Sequence, residues 1–202
     1  MIQFESVCLS LQGREILSNF DLTIRKNEKV LIQGKSGIGK STLFKLLLGF
    51  VTIDSGSVIF NGYKIRKAHI NKIREQIFYL SQDIDLREGL INDLINEILK
   101  ANSVTCKNDK RTELLDVLDL NRETLEQDVR DLSGGERQRI GLLICSLLNR
   151  PVWLLDEPTS ALDTDMKQKI ADFILDQDKT MIIISHDSVW KNSQDIKIER
   201  WE

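Results

Sequence analysis

The chain is predicted to be an α/β protein: a mostly parallel sheet covered by helices, an antiparallel β part built from the early strands, and a helical insertion in the middle. Three observations carry this. The last third alternates a helical pattern over 136–149, the strand VWLLD, a helical pattern over 166–176 and the strand TMIIIS. Both late strands are apolar without alternation, as expected for strands buried on both faces. Between 83 and 131 the pattern is helical and polar, with GLINDLINEILK and TELLDVLDL as amphipathic segments.

The elements follow in order. IQFESVCLSL places Ile2 and Phe4 on one face and Val7, Leu9 and Leu11 on another, so its phase slips near Ser6 and predicts a bulged strand. Phe20, Leu22 and Ile24 alternate with Asp21, Thr23 and Arg25, a second half-buried strand. KVLIQ is a short apolar strand that runs into a glycine loop, and KSTLFKLLLGF is a helix ended by Gly49. SVIFNGYKI holds Asn61-Gly62, a tight-turn signal. QIFYL is a further strand before the insertion.

Composition excludes several classes. The 202 residues are 41% hydrophobic and 29% charged, ordinary for a soluble domain with its own core. The net charge of -3 gives no general affinity for nucleic acid. No apolar run is long enough to span a bilayer, and MIQFESV lacks the basic and apolar regions of a signal peptide. Cys8, Cys106 and Cys145 have no metal-ligand spacing, and Cys145 sits in the apolar run LLICSLL as a small core residue. A reducing cytoplasm fits these features.

GKSGIGKS, comprising Gly34, Lys35, Ser36, Gly37, Ile38, Gly39, Lys40 and Ser41 and followed by Thr42, fits G-x-x-x-x-G-K-[ST] at every fixed position. It follows a strand and opens a helix, so backbone N–H groups and the helix N-terminus can cradle a β-phosphate. Lys40 would reach the β- and γ-phosphates, and the Ser41 hydroxyl would ligate Mg²⁺. This loop alone does not choose among kinases, GTPases and other NTPases. Asp156, at the end of VWLLD, is placed to hold Mg²⁺, and Glu157 to take a proton from an attacking water. His186 follows MIIIS, and Gln82 follows IFYLS, at the same kind of strand end. Ser133 and Glu136 have the S-x-x-E spacing of a capping box.

In combination these motifs resemble the ABC (ATP-binding cassette) ATPase family over nearly the whole chain. GKSGIGKS matches its Walker A loop, Gln82 its Q-loop, LSGGE its signature, LLDE its Walker B strand, SALD its D-loop and His186 its switch histidine, in family order. The resemblance implies a P-loop NTPase core with an antiparallel β subdomain and an inserted helical subdomain, residues 1–202 forming one nucleotide-binding domain with the insertion at about 83–131. It implies ATP and Mg²⁺ as cofactors, with Ser41, Gln82 and Asp156 around the metal, Glu157 as general base and His186 at the γ-phosphate. It implies a site completed by Ser133, Gly134 and Gly135 of a second cassette, with Asp163 at the seam. Bare backbone at Gly134 and Gly135 would let N–H groups approach an anion. Leu11 stands where many members carry an adenine-stacking aromatic.

The expected role is the ATPase subunit of a transporter, at the inner face of the cell membrane. Its expected partners are a second cassette chain, in an ATP-bound homodimer, and a separate membrane-spanning permease, with no nucleic acid. The permease would be received by the Q-loop and residues 84–94. The alternative is a soluble ABC ATPase in cofactor (iron–sulfur) assembly or another non-transport process.

Overall fold

A computed structural model describes residues 1–106, 108–192 and 195–201; Lys107, inside the expected insertion, lies outside the described residues. In chain order the elements are β1 (Ile2–Leu11), β2 (Arg14–Ile24), β3 (Lys29–Gly34), α1 (Lys40–Leu47), β4 (Ser55–Phe60), β5 (Tyr63–Lys64), α2 (Ile70–Arg74), β6 (Ile77–Leu80), α3 (Ile91–Ala101), α4 (Asn108–Val117), α5 (Gly134–Leu148), β7 (Val152–Asp156), α6 (Thr164–Leu175), β8 (Thr180–Ile184) and β9 (Ile196–Trp201). Two sheets result: four antiparallel strands in the order β2-β1-β4-β5, and five parallel strands in the order β6-β7-β8-β3-β9.

The parallel sheet is buried on both faces, which is why its strands read as unbroken apolar runs. Val152 and Leu154 of β7 face one apolar cluster, shared with α1 and the antiparallel sheet. Trp153 and Leu155 face the other, shared with α3, α5 and α6. Helix α1 is thereby clamped between the two sheets through Leu43, Phe44, Leu46 and Leu47. The arrangement fixes where α1 begins, and with it the loop that precedes it.

The phase slip near Ser6 is a real irregularity. Ser6 has φ +43°, and the β1–β2 register shifts between Phe4 and Val7. Asn61 and Gly62 both have positive φ, +48° and +83°, and turn β4 into β5. The register also changes between Leu9, paired with Leu17, and Ser10, paired with Glu15, which leaves Ile16 as the extra residue of a bulge.

The insertion is less helical than its pattern predicts. Residues 83–90 form no helix, since Gly89 has φ +122° and Leu90 is extended. Helix α3 starts at Ile91, and after α4 the chain returns through two short 3₁₀ turns, Arg122–Glu126 and Val129–Asp131. The returning segment is pinned to the insertion's entry by the Leu90–Asp128 bridge and by the Val129 N–H, which donates to the Gly89 carbonyl at 3.0 Å. Helix α5 begins with the predicted capping box: the Glu136 N–H donates to Ser133 Oγ at 3.2 Å, and the Ser133 N–H donates to Glu136 Oε2 at 2.9 Å. Hydrogen bonds donated to Glu136 Oε2 by the Ser133 hydroxyl, at 2.6 Å, and by the Ser133 N–H hold the Glu136 carboxyl below the usual glutamate range.

Candidate phosphate-binding cleft at the sheet edge

All five strands of the second sheet run the same way, so their C-terminal ends share one edge. The loop after β3, Gln82 after β6, Asp156 and Glu157 at the end of β7, and His186 after β8 meet there around a cleft of about 540 Å³. Of the 34–42 segment, Ser36, Gly37, Gly39, Lys40, Ser41 and Thr42 line this cleft. Lys40 is folded back onto its own loop: its Nζ donates to the carbonyls of Gly34 at 2.7 Å and Lys35 at 2.8 Å. Burial pulls the Lys40 pKa down, against the opposing pull of Glu157 and Asp156. Gly39 has φ +105°, and a Cβ there would run into Ile16. The bulge in the antiparallel sheet thus delivers Ile16 onto the phosphate loop.

Asp156 is only 6% exposed. Burial raises its carboxyl pKa, and a hydrogen bond from Ser41 with the charges of Lys40 and Lys45 only partly offset this. A hydroxyl and a carboxylate, with the Gln82 amide on the same cleft wall, are hard oxygen donors of the kind Mg²⁺ takes. Among the described residues no cluster of three or more His, Cys, Asp or Glu is arranged to hold a metal ion.

Glu157 stands on left-handed backbone, φ +50°, directly after β7. For a residue with a side chain this costs about 1–3 kcal/mol and is held by its surroundings. Its N–H donates to the Ile184 carbonyl at 2.8 Å, its carbonyl accepts from Gln138 Nε2 at 2.8 Å, and its Oε2 accepts from Ser185 Oγ at 3.1 Å. His186 Nε2 lies 3.7 Å from Glu157 Oε1 and 3.4 Å from Lys40 Nζ. An ammonium only donates, so the Lys40 contact is a hydrogen bond only when Nε2 carries no proton.

The structure does not bring every expected residue to this cleft. Lys35 contributes its carbonyl to Lys40, and Ile38 lies by Gly34, where an added Cβ would be 2.6 Å from Ile38 Cδ1. Leu11 packs, half-buried, against the core of the antiparallel sheet, and Ile16 rather than Leu11 reaches the loop. Asp163 caps α6, accepting from the Met166 N–H at 2.9 Å. Ser133 and Gly134 are exposed at the start of α5, and Gly134 faces an adjoining hollow whose wall Gln82 shares. Gly135 has a reason of its own within the chain: a Cβ there would lie 3.1 Å from the Ala161 carbonyl. At Gly134 the nearest atom would be Ala161 Cβ at an ordinary 3.5 Å, so packing leaves that glycine unexplained.

Three functional neighbours go unremarked in the sequence reading. Gln138, 2% exposed, ties the signature helix to the turn after Glu157 through that residue's carbonyl, Ser160 Oγ and the Ala161 N–H. Lys167 and Asp187 line the cleft as an ion pair at 2.6 Å. The signal for Gln138 and Lys167 is helical phase: each lies four residues before a fully buried residue, Leu142 and Ala171.

A phosphate-cradling loop beside strand-end acids on a parallel sheet defines a P-loop nucleotide-binding protein. The family model described as ABC transporter matches residues 17–160, and the chain belongs to that family. It is 38% identical over 183 residues to the lactococcin-A transport/processing ATP-binding protein LcnC of Lactococcus lactis subsp. lactis, covering 86% of this chain and 25% of that protein. It is 32% identical over 196 residues to an ATP-dependent lipid A-core flippase of Methylobacillus flagellatus, covering 92% of this chain and 34% of that one. The chain therefore spans about a quarter to a third of the curated relatives it matches. Among solved structures it superposes on the dimeric post-hydrolysis ATP-binding cassette MJ0796 bound to ADP and Pi, with a TM-score of 0.82, 25% identity, and 98% of this chain and 94% of that one covered. It superposes equally, TM-score 0.82 at 26% identity, on a bacterial Atm1-family ABC exporter with ATP bound, covering 100% of this chain and 38% of that one.

Two stability measurements check the cleft's energetics. Glu157→Gly removes a side chain from left-handed backbone, and denaturant midpoints are expected to rise by the equivalent of about 1 kcal/mol; a fall would mean that the side chain's contacts outweigh the strain. For Asp156 the folded pKa lies above the unfolded one, so stability falls as pH rises through that interval and the cost persists at neutral pH. Asp156→Asn is expected to melt higher than the parent near about pH 7, with the gain shrinking toward about pH 4. A variant that melts lower at neutral pH would contradict the burial cost.

Proposed function

We propose that the chain binds and hydrolyses Mg²⁺-ATP as the cassette subunit of a transporter whose membrane-spanning part is another chain. One observation carries this reading: a phosphate loop, a buried acid and a strained glutamate share one cleft, while an exposed glycine helix start stands outside it. We read residues 1–202 as one nucleotide-binding domain with its insertion at about 83–131. The names of the relatives, transport proteins and flippases, favour the transporter reading over a soluble assembly ATPase. No described helix is long and apolar enough to cross a membrane, and the proposed location is peripheral, on the inner face.

In this reading Lys40 leaves the Gly34 and Lys35 carbonyls and takes the β- and γ-phosphates, while the loop N–H groups hold the β-phosphate. Ser41, Asp156 and Gln82 would hold Mg²⁺, which when bound neutralises charge on the phosphate oxygens. Glu157 accepts the proton of the attacking water, and its left-handed backbone turns the carboxylate toward His186 and the cleft. His186, within reach of both Lys40 and Glu157, contacts the γ-phosphate. The base is proposed to rest against the antiparallel sheet on Leu11 and Ile16, an aliphatic seat without a stacking ring. The second phosphate wall is proposed to come from Ser133, Gly134 and Gly135 of another copy, with Asp163 at the seam. Within 84–94, Leu90, 44% exposed, is the apolar residue proposed to meet the permease, since Ile84 and Leu86 are partly buried against the interior.

Glu157→Gln tests the catalytic assignment. It is expected to keep ATP binding, to lower turnover by about a hundredfold or more, and to accumulate a dimer in ATP that size-exclusion chromatography detects. Wild-type turnover in this variant would remove Glu157 as the base.

A further inference from the structure

The segment that carries His186 is fastened at the residue on either side of it. Asp187 Oδ1 accepts from Lys167 Nζ at 2.6 Å, and its Oδ2 accepts from Thr159 Oγ1 at 2.6 Å. Both carboxylate oxygens are thus engaged, one from α6 and one from the turn after Glu157. The Asp187 N–H donates to Ser185 Oγ at 3.1 Å, and that hydroxyl donates to Glu157 Oε2. His186 itself points its N–H toward Glu157 Oε2 at 3.4 Å. A continuous set of polar contacts therefore runs from the first turn of α6, through Asp187 and Ser185, to the Glu157 carboxylate.

The pair sits where a plain surface salt bridge would not. Lys167 and Asp187 have side-chain exposures of only 24% and 20%, and both line the cleft. Lys167 lies on the buried face of α6, before Ile170 and Ala171, both 0% exposed. A cation there is costly unless paired, and removing one partner leaves the other charge half-buried. Burial pushes the Asp187 carboxyl up, but the hydrogen bonds from Lys167 and Thr159 prevail and hold it below the usual aspartate range.

We infer that Lys167 and Asp187 are positioning residues: the pair fixes residues 185–187 against α6, so that His186 and Ser185 hold the Glu157 carboxylate in its working orientation. The inference rests on the proposed ATPase reading. Because α6 is capped by Asp163, the residue proposed at the seam between two copies, the pair also gives that seam a rigid connection to His186. Neither residue needs to touch nucleotide for this role. Their loss acts on the rate of the chemical step, not on ATP affinity.

The test is steady-state ATP hydrolysis with parallel ATP-binding titrations on the intact chain, each variant's melting temperature being recorded. Asp187→Asn and Lys167→Met are each expected to lower kcat by about tenfold or more, the scale of a misplaced catalytic group, with KM and ATP affinity shifted by less than about threefold. Lys167→Arg keeps the charge and reach and is expected to retain most of kcat. The double variant Lys167→Asp with Asp187→Lys is expected to recover activity over either single change, because the pair is rebuilt in reverse. Should the double variant not fold, retention in Lys167→Arg against loss in Lys167→Met decides. Single variants with wild-type kcat, or a folded reversal no better than the single changes, would overturn the inference. So would losses that follow melting temperature alone, which would make the pair a structural strut. A wild-type chain that fails to hydrolyse ATP would sink the ATPase reading itself, whereas active wild type with unaffected variants sinks only the pair.

Discussion

A parallel sheet covered on both faces leaves one place for chemistry, the edge where its strands end. Alternate residues of β3, β7 and β8 are committed to two apolar clusters, so polar side chains reach the cleft at or beyond the last paired residue. Because the strands are parallel, those exits lie side by side. Gly34, Leu80, Asp156 and Ile184 end four strands, and the residues at or just beyond these ends build the cleft. The same burial raises the Asp156 pKa, and Glu157 follows it on left-handed backbone. Strain and desolvation at this edge are the local cost of a sheet that is otherwise well packed.

The antiparallel sheet is coupled to the edge through α1 and through Ile16. Helix α1 lies between the two sheets, which sets the height of the phosphate loop, and the β2 bulge lays Ile16 against Gly39. On the other side, Gln138 joins the signature helix to the turn that carries Glu157. The start of α5 is therefore held in two ways that do not depend on nucleotide: by its capping box and by Gln138. It keeps its exposed Ser133 and Gly134 presented outward in a single chain.

The parallel strands, the phosphate loop and the strand-end acids are legible in the sequence, because apolar runs and fixed glycine spacing have one dominant physical cause each. The Ser6 bulge and the capping box are legible for the same reason. Strand β9 is not singled out, although Ile196 and Ile198 alternate with Lys197 and Glu199, as on a sheet edge. Helix α2, at five residues, is too short to show a period. The 83–90 stretch reads as helical because its composition is polar and mixed, yet the left-handed Gly89 breaks it. That Ile16 lies against Gly39 is not legible, because a one-residue register change re-aims side chains without any mark in composition. Lys167 and Asp187, twenty residues apart in sequence, meet only through the fold.

The central claim is that a working site needs two copies of the chain, one giving the phosphate loop and the other the start of α5. It is tested most directly by mixing two inactive variants, Lys40→Ala and Ser133→Arg, under conditions of verified subunit exchange, with a wild-type chain diluted into each variant as the control that one intact site fires alone. If sites form between chains, a mixed dimer has one site with both defects and one with neither. Random mixing then restores about a quarter of wild-type ATP hydrolysis by two-fold counting. If each site lies within one chain, every site keeps a defect, and mixing restores nothing although the control shows that single sites are active.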